Sequence, residues 1–221
     1  MRFFHISDLH FGKLLYGYDL TEEHRNFIEQ LGDYCDKYNP DAVLIAGDVY
    51  DRSVPSADAM TLLDELLNKL SGRKVFIISG NHDNAKRLSF GKDFLKKHDI
   101  YISTVPQTGE NEKIEKVTFA DEYGNINIYM LPFLKPALFK NSMPEEAAAG
   151  EDAIIKKLVE NTDIDKNERN IILAHQFFVS GHKEPELCES EQTLAIVGGL
   201  DAVDVSAFDD FEYAALGHIH G

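Results

Sequence analysis

Short clusters of Asp, His and Asn recur in this chain where predicted strands pass into loops, and they constrain its fold more than any other feature. Because the carboxyl ends of parallel strands converge on one crevice in an open α/β sheet, these side chains are expected to meet there. Oxygen and imidazole ligands without a thiolate favour Mn, Fe, Co or Mg in an octahedral site over structural zinc. The pattern therefore predicts metal-assisted hydrolysis. The clusters are Asp8-Leu9-His10, Gly47-Asp48-Val49-Tyr50-Asp51, Gly80-Asn81-His82-Asp83, Ala174-His175-Gln176 and Gly217-His218-Ile219-His220.

The first half of the chain alternates predicted strands with predicted helices, an order typical of parallel βαβ units. The first helix is predicted to start at Asp19, which can cap it with Glu22 three residues on, and to end before Asn39-Pro40. The second helix opens at Pro55-Ser56, and its predicted buried stripe consists of Met60, Leu62, Leu63, Leu66, Leu67 and Leu70. The predicted strands cover residues 2–6, 42–46 and 74–78, and a third helix is predicted over residues 84–98.

The second half of the chain has a different pattern. Residues 113–119 and 125–130 alternate polar and apolar side chains around a turn, which predicts an antiparallel hairpin. Residues 175–203 are rich in Gly and charge and predict a long functional loop. The sequence thus predicts an α/β fold (mixed α+β), one domain over residues 1–221, with two sheets flanked by helices. The remaining predicted elements are a helix that starts at Ser142 or Met143 and strands over residues 170–174 and 213–216.

Composition limits the class of protein. A hydrophobic fraction of 43% and an aromatic fraction of 10% fit an ordinary globular protein. Cys35 and Cys188 lie far apart without a CxxC motif, which favours reduced, buried and inert thiols in a cytosolic compartment. The first residues lack the apolar core of a signal peptide, and no apolar run approaches the length of a membrane span.

Taken alone, the net charge of −16 argues against nucleic-acid binding, since proteins that bind nucleic acid usually carry a basic surface. On charge alone, an ordinary soluble acidic protein is the simpler interpretation. Bound divalent cations would offset part of this deficit at the point where a phosphate lies.

The carboxylates of the first two clusters are candidate metal ligands. Asp8 and His10 are two residues apart, so both can face one ion at a strand end. Asp48 is the candidate bridge between two ions, because a carboxylate has two oxygens and imidazole does not normally bridge. The alternative is that Asp48 or Asp51 only stabilises the turn, and Asp51 fits that role or a supporting one better.

The third cluster combines an amide with an imidazole. Adjacent side chains point in different directions, so Asn81 can bind metal while His82 faces substrate and acts on the leaving oxygen. The alternative is a helix N-cap formed by Asn81 or Asp83.

Imidazoles dominate the last two clusters. His175 follows one predicted strand, and His218 and His220 follow another with the spacing seen in the first cluster. A single His is more often structural than a ligand. The His residues outside the clusters are interpreted as surface or structural; they are His5, His24, His98 and His182.

The order of these motifs resembles the calcineurin-like metallophosphoesterase superfamily, and within it a branch of bacterial DNA nucleases that work with a coiled-coil ATPase. The resemblance spans the whole chain. The segments that carry it are Phe4-His5-Ile6-Ser7-Asp8-Leu9-His10-Phe11-Gly12, Gly47-Asp48-Val49-Tyr50-Asp51-Arg52-Ser53-Val54-Pro55-Ser56, Gly80-Asn81-His82-Asp83, Ala174-His175-Gln176-Phe177 and Ala215-Leu216-Gly217-His218-Ile219-His220.

The resemblance implies a four-layer sandwich of two mixed sheets between helices, with two metal ions that are typically manganese. His82 would be the catalytic histidine and would not bind metal. Asp48 would be shared by both ions. The other implied ligands are Asp8, His10 and His220 for one ion, and Asn81, His175 and His218 for the second.

The same resemblance implies a substrate and partners. The expected activity is cleavage of DNA, as an exonuclease on duplex ends and an endonuclease on single strands or hairpins, in break repair and recombination. Members of this branch continue into a DNA-capping domain and helices that bind the ATPase, so residues 1–221 are expected to be the nuclease domain alone. A homodimer is a further possibility. The alternatives are a metallophosphodiesterase of small molecules or nucleotides, which the acidic charge favours, and a scaffold without catalysis, which the complete ligand set opposes.

Overall fold

Two four-stranded β-sheets pack face to face between two layers of helices in the computed structural model, which describes residues 1–109, 111–180 and 202–219. The strands are β1 (Phe3–Ile6), β2 (Leu14–Leu15), β3 (Tyr18–Asp19), β4 (Ala42–Ala46), β5 (Lys74–Ile78), β6 (Ile100–Ser103), β7 (Glu115–Asp121), β8 (Gly124–Leu131), β9 (Arg169–Ala174), β10 (Phe177–Val179), β11 (Ala202–Asp204) and β12 (Tyr213–Leu216). The helices are α1 (Thr21–Tyr38), α2 (Ala57–Lys69), α3 (Ala85–Leu88), α4 (Lys92–Leu95), α5 (Pro144–Ala149) and α6 (Glu151–Asn161), with short 3₁₀ turns at Lys96–His98, Pro136–Phe139 and Val205–Phe208.

The two large sheets differ in strand direction. The first has the order β1-β4-β5-β6, and all its strands are parallel. The second has the order β12-β9-β8-β7, with β7 antiparallel to β8 and the others parallel. β1, β4 and β5 of the first sheet and β9 and β12 of the second run into the loops that carry the predicted clusters.

Alternating side chains on the central strands form the layers of the core. On β4, Val43 and Ile45 pack against the helices α1 and α2, whereas Leu44 faces the second sheet. On β9, Leu173 faces the first sheet while Ile172 packs on the other side with apolar residues of α6. Because both faces of these strands are buried, they are apolar over almost their whole length.

The predicted strands of the central sheets are confirmed. Residues 42–46, 74–78 and 213–216 form strands with the predicted bounds, and residues 170–174 form all but the first residue of β9. The predicted hairpin is the antiparallel pair β7 and β8. Among the described residues, no helix is both long and apolar enough to cross a membrane.

Three predictions about helices are wrong. α1 begins at Thr21 and Leu20 occupies its N-cap position, so Asp19 lies one residue too early to be the cap. The Asp19 carboxylate accepts from the Thr21 N–H and hydroxyl, and Asp19 itself pairs in the hairpin β2–β3. The predicted stripe of α2 is buried at Leu62, Leu63 and Leu66 and at Leu70 beyond its end, but Met60 is 53% exposed.

The third error concerns residues 84–98, which form two short helices and a 3₁₀ turn. The break lies at Gly91, which has a positive φ of 74° that a continuous helix does not allow. The loop predicted over residues 175–203 contains β10 and the start of β11, and its central part lies outside the described residues.

Candidate metal centre

Five strand ends bring the predicted site residues together. Asp8 and His10 follow β1, Asp48 follows β4, and Asn81 and His82 follow β5. From the second sheet, His175 follows β9 and His218 follows β12. The parallel direction of these neighbouring strands places all their carboxyl ends on one side of the molecule, where the loops converge.

Asp48 lies at the centre of the cluster. Its Oδ2 is 3.4 Å from His175 Nε2, 3.8 Å from His10 Nε2 and 4.0 Å from His82 Nε2. The Asp48 residue is 2% exposed, and Oδ1 accepts from the backbone N–H of His82 at 2.9 Å. One carboxylate thus lies between imidazoles that come from both sheets.

A second convergence involves the amide of Asn81. Asn81 Oδ1 lies 3.2 Å from His175 Nε2 and 2.9 Å from His218 Nδ1. Since His175 Nδ1–H donates to the carbonyl of Ala46 at 2.7 Å, Nε2 points into the cluster. This arrangement, in which the far nitrogen is fixed by a carbonyl, is typical of metal-binding histidines.

The carboxylate of Asp8 joins the two sheets. Asp8 Oδ1 is 4.0 Å from both His10 Nε2 and His175 Nε2. The backbone N–H of His218 donates to both Asp8 oxygens, at 3.2 and 3.1 Å. The loop after β12 is therefore held against the loop after β1.

Backbone strain is concentrated at this site. Asp8, His10, Asp48 and His218 have φ values of 55°, 44°, 48° and 89°. Residues other than Gly adopt such angles at a cost of about 1–3 kcal/mol each, and they cluster at functional sites. Four of the predicted ligands thus share a backbone feature found at few other described residues.

Glycines in the motifs allow the ligands to approach backbone closely. A Cβ on Gly80 would overlap the carboxylate of Asp48, and a Cβ on Gly47, which has a φ of +90°, would overlap the ring of His175. The Gly residues beside the ligands are therefore required by packing as well as by turn geometry.

His82 is set apart from the other imidazoles by its exposure. Its side chain is 42% exposed, whereas that of His175 is 0% exposed. His82 Nδ1–H donates to the carbonyl of Asp51 at 2.8 Å, so Nε2 is directed toward the cluster. Asp51 also places Oδ1 3.7 Å from His10 Nδ1, which agrees with a supporting role for this residue.

Asp83 is a structural residue of the site that the sequence interpretation missed. Its carboxylate accepts the backbone N–H of Val49 at 3.1 Å, of Tyr50 at 2.9 Å and of Gly80 at 2.9 Å. Burial, opposed by these hydrogen bonds, raises its pKa above the ordinary value. The suggested helix cap at Asn81 or Asp83 is wrong, since Asn84 caps α3 by accepting from the Arg87 N–H.

Opposite charges stabilise each other in the pair of Asp48 and His175. Burial opposes ionisation of both groups, but their mutual hydrogen bond and attraction outweigh it. The pKa of Asp48 is consequently lowered and that of His175 is raised. A divalent cation would take the place of the His175 proton, because metal binding requires neutral imidazole.

Phe133 lies beside the site and Gln176 directly follows His175, and no role was predicted for either of them. The Phe133 ring lies 6.5 Å from the His175 ring and 6.4 Å from the His218 ring, centroid to centroid. Gln176 binds the backbone of Leu134 through both its oxygen (2.9 Å) and its amide nitrogen (3.3 Å), and it also donates to Glu151. The Gln next to a cluster histidine was the available signal for this support.

The donor set fits divalent cations. Asp8, Asp48 and His175 offer ligand atoms that all lie within 4.8 Å of one another, and so do His10, Asp48 and His82. Asp48 belongs to both groups, which fits a pair of ions that share one carboxylate. The second group contains His82, which the resemblance assigns to catalysis.

The described structure covers only some of the remaining residues named from the sequence. His220 lies outside the described residues, as do His182 and Cys188. His5 contacts the hydroxyl of Tyr213 at 3.1 Å, and His24 packs against the ring of Phe11.

Comparison with known proteins identifies the class. The family model described as calcineurin-like phosphoesterase matches residues 1–221, and the chain belongs to this family. The four-layer fold that the resemblance implied is confirmed by this match and by the packing of the two sheets.

A particular relative agrees with the motif resemblance. The chain is 30% identical over 225 residues to SbcD, the D component of the nuclease SbcCD, of Staphylococcus epidermidis. The alignment covers 100% of this chain and 57% of the relative, so the chain spans somewhat more than half the length of that protein.

Proposed function

We propose that this chain is the nuclease domain of an SbcD-like protein, a DNA phosphodiesterase that uses two divalent ions, most suitably manganese. The observation that carries the proposal is the position of Asp48. A single buried carboxylate lies within 4.0 Å of three imidazole nitrogens, on His10, His82 and His175. This is the arrangement expected of a bridging ligand between two ions.

We divide the proposed ligands between the two ions as the family resemblance implies. Asp8, His10 and Asp48, with His220, would hold one ion. Asp48, Asn81, His175 and His218 would hold the other. When bound, the ions would activate water as a nucleophile and neutralise negative charge on the phosphate.

The proposed role of His82 follows from its tautomer and exposure. His82 Nδ1–H donates a hydrogen bond to the carbonyl of Asp51, so Nε2 faces the site. When Nε2 is also protonated, it can donate that proton to the leaving oxygen. Because the side chain is 42% exposed, a substrate can reach it. His175 has the same tautomer, so it is the greater exposure of His82 that favours proton transfer and positioning of the phosphate over permanent metal ligation.

The expected substrates are duplex ends, single strands and hairpins, in repair and recombination. The proposed partners are DNA and, in the full-length protein, an SbcC-like coiled-coil ATPase, with a homodimer as a further proposed assembly. A cytoplasmic location belongs to the same proposal, and the buried free thiol of Cys35 is compatible with it.

A test compares two substrates with manganese present. We expect the chain to hydrolyse bis-p-nitrophenyl phosphate and also to shorten end-labelled linear duplex DNA. Both activities should disappear with EDTA and return with added Mn²⁺. Hydrolysis of the small diester without any action on duplex, single-stranded or hairpin DNA would contradict the nuclease assignment.

Hydrolysis of the small diester without action on DNA is the result expected of the other candidate function, a phosphodiesterase of small molecules or nucleotides. The net charge of −16 favours it, because an acidic chain repels the nucleic-acid backbone. Turnover of a cyclic or linear nucleotide diester at a higher kcat/KM than any DNA substrate would support it.

A further inference from the structure

A concentration of positive charge follows the metal centre in an otherwise acidic chain. Within residues 86–97 there are five cations and one carboxylate. All five cationic side chains are exposed, and none forms an ion pair with another described residue. They are Lys86, Arg87, Lys92, Lys96 and Lys97.

Cations elsewhere in the described chain are commonly paired. Arg25 binds Glu65, Lys69 binds Glu29 and Lys166 binds Asp210. Unpaired cations that lie close together repel one another, so their concentration beside the site indicates a surface for an anion.

Two of these lysines line a groove of about 390 Å³. One wall is formed by α3 and α4, including Lys86, Ser89 and Lys92, and the opposite wall by residues 104–108. The second wall offers hydroxyl and amide groups of Thr104, Gln107 and Thr108. We call this feature the basic groove.

The basic groove is joined directly to the metal centre. Ser79 precedes the cluster, and its N–H donates to the carbonyl of Ser103 at 3.1 Å. The Ser79 hydroxyl donates to the carbonyl of Thr104 at 3.0 Å. On the other side Lys86 is four residues after His82, a separation of at most about 14 Å between Cα atoms. Both walls therefore begin at the loop that carries Asn81 and His82.

We propose that the basic groove holds the phosphate backbone of the nucleic-acid strand whose diester is cut at the metal centre. This inference rests on the proposed function. Lysines, hydroxyls and amides are the groups that most often contact phosphate oxygens, and such contacts position a strand without reading its sequence. The groove adjoins the loop of Asn81 and His82, so a continuous nucleic-acid strand is a better occupant than an acidic protein. The local concentration of positive charge can also attract nucleic acid although the chain as a whole is acidic.

One acidic side chain of the groove gives an opposite test. Glu115 at the start of β7 also lines it. If phosphates lie in the groove, Glu115 repels them. Lys92→Glu should then weaken binding, whereas Glu115→Gln should strengthen it.

The experiment measures binding of a fluorescent single-stranded oligonucleotide by anisotropy in EDTA, at several salt concentrations. Lys92→Glu should raise Kd about tenfold at low salt, and its salt dependence should fall by about 0.7 in the slope of log K against log salt per lost contact. Glu115→Gln should lower Kd about twofold to threefold by the same electrostatic argument. The matched control is Lys37→Glu, which makes the same charge change at an exposed lysine in the last turn of α1, on the β1 side of the first sheet.

Catalysis supplies the second readout. With Mn²⁺, Lys92→Glu should lose at least about tenfold more kcat/KM on the oligonucleotide than on bis-p-nitrophenyl phosphate, because the small diester does not extend into the groove. Equal effects of Lys92→Glu and Lys37→Glu on binding would overturn the inference, as would no oligonucleotide binding by the wild-type chain at low salt. Binding that depends on Lys92 without cleavage by the wild type would keep the groove and refute the nuclease assignment. Unchanged binding in Lys92→Glu would also refute the inference.

Discussion

The two sheets contribute different chemistry to the same site. The parallel first sheet supplies every described oxygen atom of the proposed ligand set, on Asp8, Asp48 and Asn81. The mixed second sheet supplies only imidazoles among the described members of that set, on His175 and His218. The two sets are in direct contact, because the ion pair of Asp48 with His175 and the contacts of the Asn81 amide cross between the sheets. The comparison teaches that the metal centre depends on the packing of the sheets as much as on either set of loops.

The largest expected effect comes from substitution of Asp48, whose carboxylate lies close to imidazoles of both sheets. Asp48→Asn removes the negative charge that would bridge the ions, and we expect kcat on bis-p-nitrophenyl phosphate to fall roughly a thousandfold or more. The matched control, Asp33→Asn, changes an exposed carboxylate of α1 and should retain activity within about twofold. A loss of less than about tenfold in Asp48→Asn would refute the bridging role.

A second prediction separates an imidazole of the first sheet from one of the second. His82→Ala should lower kcat by about 10²–10⁴ while manganese content is retained, because its proposed task is proton transfer. His175→Ala should lose manganese as well as activity. Equilibrium dialysis and steady-state kinetics on the same preparations measure both quantities. Loss of manganese in His82→Ala would make His82 a ligand, in agreement with its membership of one donor group.

A third prediction uses metal binding to test the link between the sheets. Manganese at about 100 times its Kd should stabilise the folded state by about 2.7 kcal/mol and raise Tm by about 5–10 °C. The shift should be reversed by EDTA. His218→Ala removes a ligand of the second sheet only, and it should lose much of the shift if one site spans both sheets. An undiminished shift in that variant would place the metal on the first sheet alone.

The smallest expected effect lies within the first sheet. Asp83→Asn leaves one oxygen for three backbone N–H donors, and we expect the free energy of unfolding to fall by about 2 kcal/mol. Urea unfolding of this variant, with Asp33→Asn as the exposed control, measures the effect. Equal stability of the two variants would show that the Asp83 carboxylate does not hold the two loops together.

The sequence was most informative where apolar runs ended in polar clusters. Residues 42–46 and 74–78 are buried on both faces, so their bounds follow from composition alone. The positions of Asp48 and Asn81 at the ends of those strands then follow from the direction of parallel strands. The division of ligands between two ions came from resemblance, and it remains a prediction.

The errors arose where one local signal competed with another or with a distant contact. Asp19 followed by Glu22 has the pattern of a helix cap, yet the turn at Tyr16 and Gly17 pairs β2 with β3 and draws Asp19 into the hairpin. The prediction of a third helix took no account of Gly91, where a positive φ separates α3 from α4. The role of Asp83 could not be predicted because two of its three partners, Val49 and Tyr50, lie more than thirty residues away.

The most direct test of the bridging role of Asp48 is a crystal structure of the chain with manganese, using anomalous scattering to locate the ions. We predict two peaks about 3.5–4 Å apart, with one oxygen or both oxygens of Asp48 bound to both ions and His82 bound to neither. A single ion, or two ions that do not share Asp48, would contradict this account of the site.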